Sequence, residues 1–424
     1  MEPALAVANA VLYEGYVLYP YTASAAKNRV RWQFGVVVPE AYCANGTGEP
    51  AQMQTEVLLE SGRETAVTVL VRFLHVEARW VQTALLDGGF ETVPALEIGG
   101  RRFVTFDEGI EREVEVRLPA GETSAAAPIA FADEERIEPI YDAAATLRGR
   151  VVRRRWPLHG DVTVERASAG ENADLQKIRV RIVNRSAVVP GERSSALRTA
   201  FVSTHTLLHA GGGRFLSLLD PPEEAVSQTG SLCNRHTWPV LAGDGSTGPH
   251  GAPLVLSSPI VLYDYPAVAA QSEGDTCDAT EIDELMMLSV LSLSDRERAE
   301  ARATDPRARA IVERAERFGP QELSDLHGVL DVPAMDCVFV DGTKVAKGSI
   351  VRLHPKRRAD VWDEFLDGKL ATVRAIHQDV ENEMYVAVTV DDDPASELHD
   401  WYGRSLFFYP DEVEPVSAVG QPST

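Results

Sequence analysis

Apolar and polar residues alternate along most of the first 265 positions, which is the period-two pattern of half-buried β-strands. Glycine-rich turns, such as the Asp-Gly-Gly at 87–89, separate the alternating segments. A succession of short strands and such turns predicts a β-sandwich-like region of two packed sheets. The clearest predicted strands are 30–38, 66–73, 101–106, 114–118 and 178–183.

The spacing of apolar residues becomes helical near residue 280, where 280–291 carries them three and four positions apart. Ser294 and Asp305 suit the N-cap positions of two further helices, and Pro306 fits the first turn of the second. A short fourth helix is predicted over 321–330. The segment therefore reads as a helical block between two β regions.

The last part of the chain returns to strand patterns, over 349–353, 370–377, 384–390 and 405–409. The successive motifs GSIVR, DGKLATV, VAVTVDD and PDEVEPV resemble those of SH3-like barrels. The resemblance implies a small β-barrel, a module that binds partners more often than it catalyses.

Together these patterns predict a mainly β chain, α+β overall. Four parts are expected: a β-sandwich-like region over 1–265, a helical block and linker over 266–335, an SH3-like barrel over 336–416, and a tail over 417–424.

Charge narrows the classes of ligand. The 424 residues include 41 basic and 64 acidic ones, so the net charge is -23. Such a surface repels phosphate backbones and anionic lipids, so neither nucleic acid nor membrane is expected as a partner. No apolar run approaches the roughly 20 residues of a membrane span. Four dispersed cysteines and a start without a basic, apolar leader favour the cytoplasm.

The charges are also unevenly placed. Segment 264–300 holds ten acids and two arginines, and segment 376–416 holds eleven acids and one arginine. Against them stand five arginines in 148–155 and six basic residues in 344–358. Two interpretations stay open: solvated faces with internal compensation, or acidic faces that dock a partner protein.

One candidate metal site combines two histidines on a predicted strand with a Cys-x-x-His motif. On a strand, positions i and i+4 project from one face, so His205 and His209 could point to one side. Cys233 and His236 would complete a tetrahedral set for zinc or another divalent metal. The alternative is two strand histidines and a buried thiol without metal.

A second candidate is the acidic run at the start of the helical block, where oxygen ligands could hold Mg²⁺ or Ca²⁺ or contact a partner. Acids there also suit the N-terminal helix dipole. Its members are Asp264, Glu273, Asp275, Asp278, Glu281, Asp283 and Glu284, and all but the first two are also candidates for contact with a partner. Near the N-terminus, Tyr16, Tyr19 and Trp32 could form a partner-recognition face or belong to the core.

No motif of nucleophilic catalysis or phosphate binding stands in the chain, since both G-x-S-x-G and a glycine-rich strand–turn–helix loop are missing. We therefore expect no enzymatic activity. The alternative is a metal-binding protein or metal-dependent enzyme that uses the His/Cys set or the acidic run.

Three segments, 11–39, 256–266 and 274–308, together resemble an uncharacterised protein family encoded beside actinobacterial-type nickel–iron hydrogenases. The family has no motif tied to an activity, so no catalytic residue is implied. The resemblance implies a non-enzymatic accessory or assembly role, with a hydrogenase subunit or maturation factor as the protein partner.

Overall fold

The computed structural model describes residues 2–60, 65–170, 174–187, 192–268, 272, 277, 283–319, 337–340, 342–356, 366–378, 384–391 and 406–416. The chain divides into two compact units, Met1–Glu316 and Arg317–Thr424. Antiparallel sheets dominate both, and three helices longer than one turn follow the strands of the first unit. The prediction of a mainly β chain with a short helical block is therefore confirmed.

The first unit is built from sixteen strands and seven helices among its described residues. The strands are β1 Gln52–Glu60, β2 Ala66–Ala84, β3 Phe90–Val93, β4 Ala95–Ile98, β5 Arg101–Val104, β6 Glu108–Leu118, β7 Ser124–Phe131, β8 Glu134–Tyr141, β9 Leu147–Arg155, β10 Leu158–Ser168, β11 Leu175–Asn184, β12 Val202–Gly211, β13 Arg214–Leu216, β14 Trp238–Ala242, β15 Gly251–Ala252 and β16 Leu254–Ser258. The helices are α1 Glu2–Tyr13, α2 Glu40–Cys43, α3 Arg193–Leu197, α4 Val226–Thr229, α5 Asp283–Leu291, α6 Asp295–Thr304 and α7 Pro306–Ala315, with 3₁₀ turns at Ala26–Arg29 and Glu223–Ala225.

Two large sheets pack face to face. One has the order β15-β13-β1-β11-β10-β7, and the other has the order β14-β16-β12-β2-β9-β8 with β3 and β6 also paired to β2. Their shared core follows the period-two pattern: Ile178, Val180 and Ile182 of β11 are buried, as are Val69 and Phe73 of β2. Alternation in the sequence therefore places one side of each strand in the sandwich core.

Strand β2 joins both halves of its sheet. Its first part pairs with β12 and β6, and its second part pairs with β9 and β3. Helix α1 covers the outer face of this sheet, where Ala4, Ala8 and Val11 pack with Leu207 and Leu256. The i, i+4, i+7 spacing of these small side chains lets the helix lie close to the sheet.

The predicted strand over 30–38 is wrong. Trp32 and Gly35 have left-handed backbone angles, φ 60° and φ 55°, which interrupt an extended chain. At Gly35 a Cβ atom would lie 2.7 Å from the backbone nitrogen of Thr204, so only glycine fits against that backbone segment. A single bridge, between Val37 and Phe201, ties the segment to the sandwich.

The helix starts follow their predicted caps. Ser294 accepts from the backbone of Glu297, whose side chain accepts from Ser294 in return, so α6 begins with a capping box. Asp305 accepts from the backbone of Arg307, and Pro306 opens α7. The predicted fourth helix and the first turn of the predicted 280–291 helix lie outside the described residues.

The basic strip over 148–155 is largely compensated within the first unit. Strand β9 carries its arginines beside the acidic strand β8, with Glu134 directly opposite Arg155 and joined to it by a salt bridge. Arg148 pairs with Asp142 at 2.6 Å. Opposite charges on neighbouring strands stabilise their pairing, so most of this strip serves the sheet.

The second unit contains strands β17 Cys337–Val340, β18 Thr343–Ala346, β19 Ile350–Leu353, β20 Leu370–Gln378, β21 Met384–Val390, β22 Leu406–Phe408 and β23 Val413–Pro415, with a 3₁₀ turn at Pro410–Glu412. The strand predictions there are confirmed. Five strands pair in the order β22-β21-β20-β19-β23, and β17 pairs with β18. Within its described residues, β22 and β23 do not pair with each other, so the sheet is open and not a closed barrel.

Candidate partner-binding site

The four predicted metal ligands lie in different surroundings. His205 is fully buried, and its Nδ1 donates to the carbonyl oxygen of Ser203 at 2.9 Å. His209, Cys233 and His236 are exposed. Among the described residues, which include all four, no three His, Cys, Asp or Glu side chains form a group that could hold a metal ion.

The rise per residue along a β-strand explains why His205 and His209 do not bind one metal ion. His205 and His209 share the parity that the sequence indicated, but four residues at about 3.3 Å each separate them by about 13 Å. Zinc–nitrogen bonds are only about 2 Å long, so both imidazoles cannot reach one ion. The histidine pair therefore cannot supply two ligands of the predicted tetrahedral set.

The predicted acidic site is only partly described. Glu273, Asp275, Asp278 and Glu281 lie outside the described residues, and Asp264 lies on the loop that follows β16. Asp283 is half-buried at the start of α5, and Glu284 beside it is buried. Glu284 therefore does not offer its carboxylate to a partner at the surface.

Tyr16 and Trp32, expected either on a recognition face or in the core, are each only 2% exposed. Between Trp32 and Phe106 lies the guanidinium of Arg31, 4.0 Å and 3.6 Å from the two ring centroids. Arg31 donates to the carbonyl oxygens of Tyr16 and Asp107. The aromatic residues thus form an interior cation–π stack and present no surface to a partner.

Tyr19 is half-buried and also serves internal packing. Its hydroxyl donates to the carbonyl oxygen of Ser289 in α5 at 3.2 Å, and its ring stands edge-on to that of Tyr21. The N-terminal aromatic segment therefore holds the helical block to the β-sandwich.

An exposed apolar surface occurs instead on the 259–265 loop, which follows β16. Tyr263 is 88% exposed and Val261 is 70% exposed. Leu262 between them is half-buried and packs against the cluster that α1 forms with the sheet. The loop therefore turns one apolar side chain inward and leaves two in solvent.

Hydrogen bonds hold this loop at both ends. At its start, the hydroxyl of Ser258 accepts from the backbone nitrogen of Ile260 at 3.1 Å. At its end, Asp264 accepts from the backbone nitrogen of Leu241 at 2.7 Å and from the hydroxyl of Ser217 at 2.5 Å. The exposed side chains are thus presented on a fixed backbone.

Tyr265 adds a further anchor. Its hydroxyl donates to the carbonyl oxygens of Gly248 and Gly251, at 2.5 Å and 3.1 Å, and its backbone nitrogen donates to Leu241. A cavity of about 210 Å³ lies beside its ring and is lined also by His209 and Asp244. The loop thus borders a recess that could receive a side chain of a partner.

The loop belongs to the 256–266 segment of the resemblance, and of its residues the sequence marks only Asp264, as a candidate oxygen ligand of the acidic site. The available signal is a run of apolar residues, 260–263, that follows Pro259 and ends in Asp-Tyr-Pro. Apolar residues outside a strand or helix are not part of a regular face that packs into the core. Such a run is therefore expected either to be exposed or to contact another surface.

None of the helices that the structure describes is long and apolar enough to cross a lipid bilayer. No protein-family model, no curated protein and no solved structure matches this chain. The likeness to hydrogenase-associated proteins therefore depends on the three sequence segments alone.

Proposed function

We propose that this chain is a non-enzymatic accessory or assembly protein that acts by binding another protein. We propose further that its partner is a subunit or a maturation factor of a nickel–iron hydrogenase, and that it works in the cytoplasm. Protein binding is supported by the anchored 259–265 loop with its exposed Tyr263. The link to hydrogenase is supported by the resemblance of the three sequence segments, one of which contains this loop.

The exposure of Tyr263 and Val261 is the observation that carries the proposal. Single exposed apolar residues are common, but two on one short loop, one of them a nearly fully exposed tyrosine, are a suitable anchor for an interface. Tyrosine contributes strongly at interfaces because its ring is large and rigid and its hydroxyl can still form a hydrogen bond.

The anchoring of the loop strengthens this interpretation. A mobile loop loses conformational entropy when it binds, about 0.5–1.5 kcal/mol for each side chain that becomes ordered. The contacts of Ser258, Asp264 and Tyr265 fix the backbone on either side of Tyr263 before a partner arrives. More of the contact energy then appears as affinity.

Charge favours a basic partner surface. The chain has a net charge of -23, and Asp244 lies exposed at the recess beside the loop. Complementary charge accelerates association and makes it sensitive to salt. We therefore expect the partner to combine an apolar pocket for Tyr263 with a basic rim.

The test is affinity capture with the full-length tagged protein from cells that contain the hydrogenase, followed by quantitative mass spectrometry. Three proteins are compared: the wild type, the double variant Val261→Ser/Tyr263→Ser, and the control Leu86→Ser. Leu86 is a fully exposed apolar residue in the turn between β2 and β3, so its substitution removes similar surface elsewhere.

The wild type and the Leu86→Ser control should enrich hydrogenase polypeptides. The enrichment by the double variant should be at least about tenfold lower. Equal enrichment by the double variant would show that the loop is not the binding surface. Enrichment of other proteins without any hydrogenase component would refute the hydrogenase assignment.

A further inference from the structure

A second feature of the first unit does not enter the proposed function: a cavity of about 460 Å³ with a strongly basic lining. It lies where β2 and β9 meet the β4–β5 hairpin and the helices α6 and α7. Its volume is in the range of small-molecule sites. Six of its lining residues are arginines: Arg79, Arg101, Arg102, Arg153, Arg302 and Arg309.

The charge bias of this cavity is unusual for the chain. Glu138 is the single acidic residue in the lining, although acidic residues outnumber basic ones by 64 to 41 in the whole sequence. Another cavity of the unit is nearly as large, about 440 Å³, but it combines three arginines with Asp107 and Glu192. Six arginines against one acid are therefore a property of this site and not of cavities in the unit generally.

Carboxylates behind the lining hold several of these arginines in place. Arg79 pairs with Glu108 at 2.5 Å, and Arg153 pairs with the other oxygen of the same carboxylate. Arg102 lies 3.6 Å from Glu300 of α6. These pairs fix the guanidinium groups, so a ligand would meet a preformed basic wall.

Two arginines of the lining lack such a partner. Arg302 is paired with Glu316, but Arg101 and Arg309 form no ion pair with any carboxylate of the described residues. Arg309 donates from Nε to the carbonyl oxygen of Arg302 at 3.1 Å, and Arg101 lies over the ring of Phe103. Their charges remain available to a ligand in the cavity.

Two arginines of the lining also have hydrogen-bond donors that a bound ligand could satisfy. The Nε atoms of Arg102 and Arg153 are buried and have no hydrogen-bond acceptor. Arg153 Nε lies 3.5 Å from a carboxylate oxygen of Glu138 but makes no hydrogen bond with it. Buried donors are nearly always paired in native proteins, so both atoms would gain a partner from acceptor oxygens of a ligand that reaches them.

We propose that this cavity binds a small, multiply charged phosphate-bearing anion, of the size of a polyphosphate or a nucleotide. The planar guanidinium fork matches phosphate oxygens in pairs, and the lining offers arginine without any lysine. Several convergent arginines need several negative charges on one compact ligand, which linked phosphates supply.

The test is isothermal titration of the full-length protein with sodium tripolyphosphate, in about 0.15 M NaCl so that non-specific attraction is screened. The informative variant is Arg101→Gln/Arg309→Gln, since both side chains are exposed and can be changed without unfolding the protein. The control is Arg117→Gln. Arg117 pairs with Thr68 of β2, eleven residues from Arg79 and so roughly 35 Å away along the strand.

The wild type and Arg117→Gln should show saturable one-to-one binding with equal Kd, and the double variant should raise the Kd at least about tenfold. No saturable binding by the wild type, or an equal loss in the control, would overturn the proposal. Citrate serves as a multiply charged carboxylate in the same titration. Binding of citrate as tight as that of tripolyphosphate would overturn the assignment to phosphate.

Discussion

The phenol of Tyr16 donates a 2.9 Å hydrogen bond to the carboxylate of Asp305, 289 positions away in the sequence. The other oxygen of Asp305 caps α7 by accepting from the backbone of Arg307 at 2.7 Å. The same phenol oxygen accepts from the backbone nitrogen of Gly109 at 3.1 Å. One buried contact therefore joins the N-terminal segment, the β-sandwich and the helical block.

We expect Tyr16→Phe to lower the free energy of unfolding of the first unit by about 2 kcal/mol. Removal of the hydroxyl leaves a carboxylate oxygen of Asp305 and the backbone nitrogen of Gly109 without their buried partner, and hydrogen bonds to charged groups contribute about 1.5–3 kcal/mol. Urea unfolding measured by tryptophan fluorescence tests this. Tyr263→Phe removes the same hydroxyl from an exposed ring, and an equal loss there would contradict the assigned role of Tyr16.

Local signals explain which parts of the fold could be predicted. Ser294 and Asp305 cap their helices through contacts within three residues, and the alternation of Ile178, Val180 and Ile182 reports one buried face. The 30–38 segment has equally strand-like residues, but Gly35 must fit against Thr204 far away in sequence. No local pattern contains that constraint.

The second unit should fold by itself. Its core consists of its own residues, among them Val351 of β19, Ile376 of β20 and Val386 of β21, all of them buried. Residues 317–424 expressed alone should melt cooperatively when followed by circular dichroism. Val386→Asp, which places a charge in the central strands, should abolish that transition. A flat, non-cooperative trace for the unmutated fragment would contradict the prediction.

His205 should make the stability of the first unit depend on pH. Burial lowers the pKa of its imidazole from 6.5 to about 4, with a smaller opposing effect from the hydrogen bond to Ser203. Nδ1 donates to that carbonyl, and Nε2 has no hydrogen-bond partner. A second proton would therefore bind at Nε2, where no hydrogen-bond acceptor faces it. Between these pH values the unfolded chain binds a proton that the folded chain does not, so stability falls as the pH is lowered from 6.5 to 4.

We expect the wild type to lose about 3 kcal/mol more than His205→Gln between pH 7 and pH 4. The glutamine amide can still donate to Ser203 but does not titrate. Urea unfolding at each pH provides the measurement, and His209→Gln on the exposed end of the strand is the control. His75, whose pKa burial also lowers to about 4, titrates in both proteins and cancels from the difference. Identical pH profiles for His205→Gln and the wild type would contradict this assignment.

The candidate site shows where sequence reasoning stops. The parity of His205 and His209 was visible in the sequence, but parity gives the face of a strand and not the distance along it. Tyr16 and Trp32 fit a core and an interface equally well by residue type, and only tertiary packing decides between them. The exposure of Tyr263 depends on the hydrogen bonds of Asp264 with Ser217 and Leu241, which are distant in sequence, so no local pattern encodes them.

Substitution of Asp264 tests whether the fixed position of Tyr263 matters for binding, because it removes an anchor of the loop and leaves the tyrosine side chain unchanged. Asp264→Ala leaves the backbone nitrogen of Leu241 and the hydroxyl of Ser217 without their acceptor and should cost about 2 kcal/mol. The 259–265 loop should then open more often, so chymotrypsin should cut after Tyr263 several-fold faster under native conditions. Capture of the partner should weaken although Tyr263 itself is unchanged, because the fixed backbone contributes to affinity.

Asp244→Ala is the matched control for this variant. Asp244 is exposed in the neighbouring turn and accepts from the backbone of Ser246 within that turn, so its loss does not release the 259–265 loop. Its rate of cleavage after Tyr263 should equal that of the wild type. If Asp264→Ala is cut after Tyr263 no faster than Asp244→Ala, the loop is held by other contacts. If it is cut faster but captures the partner as well as the wild type, the order of the loop does not contribute to binding.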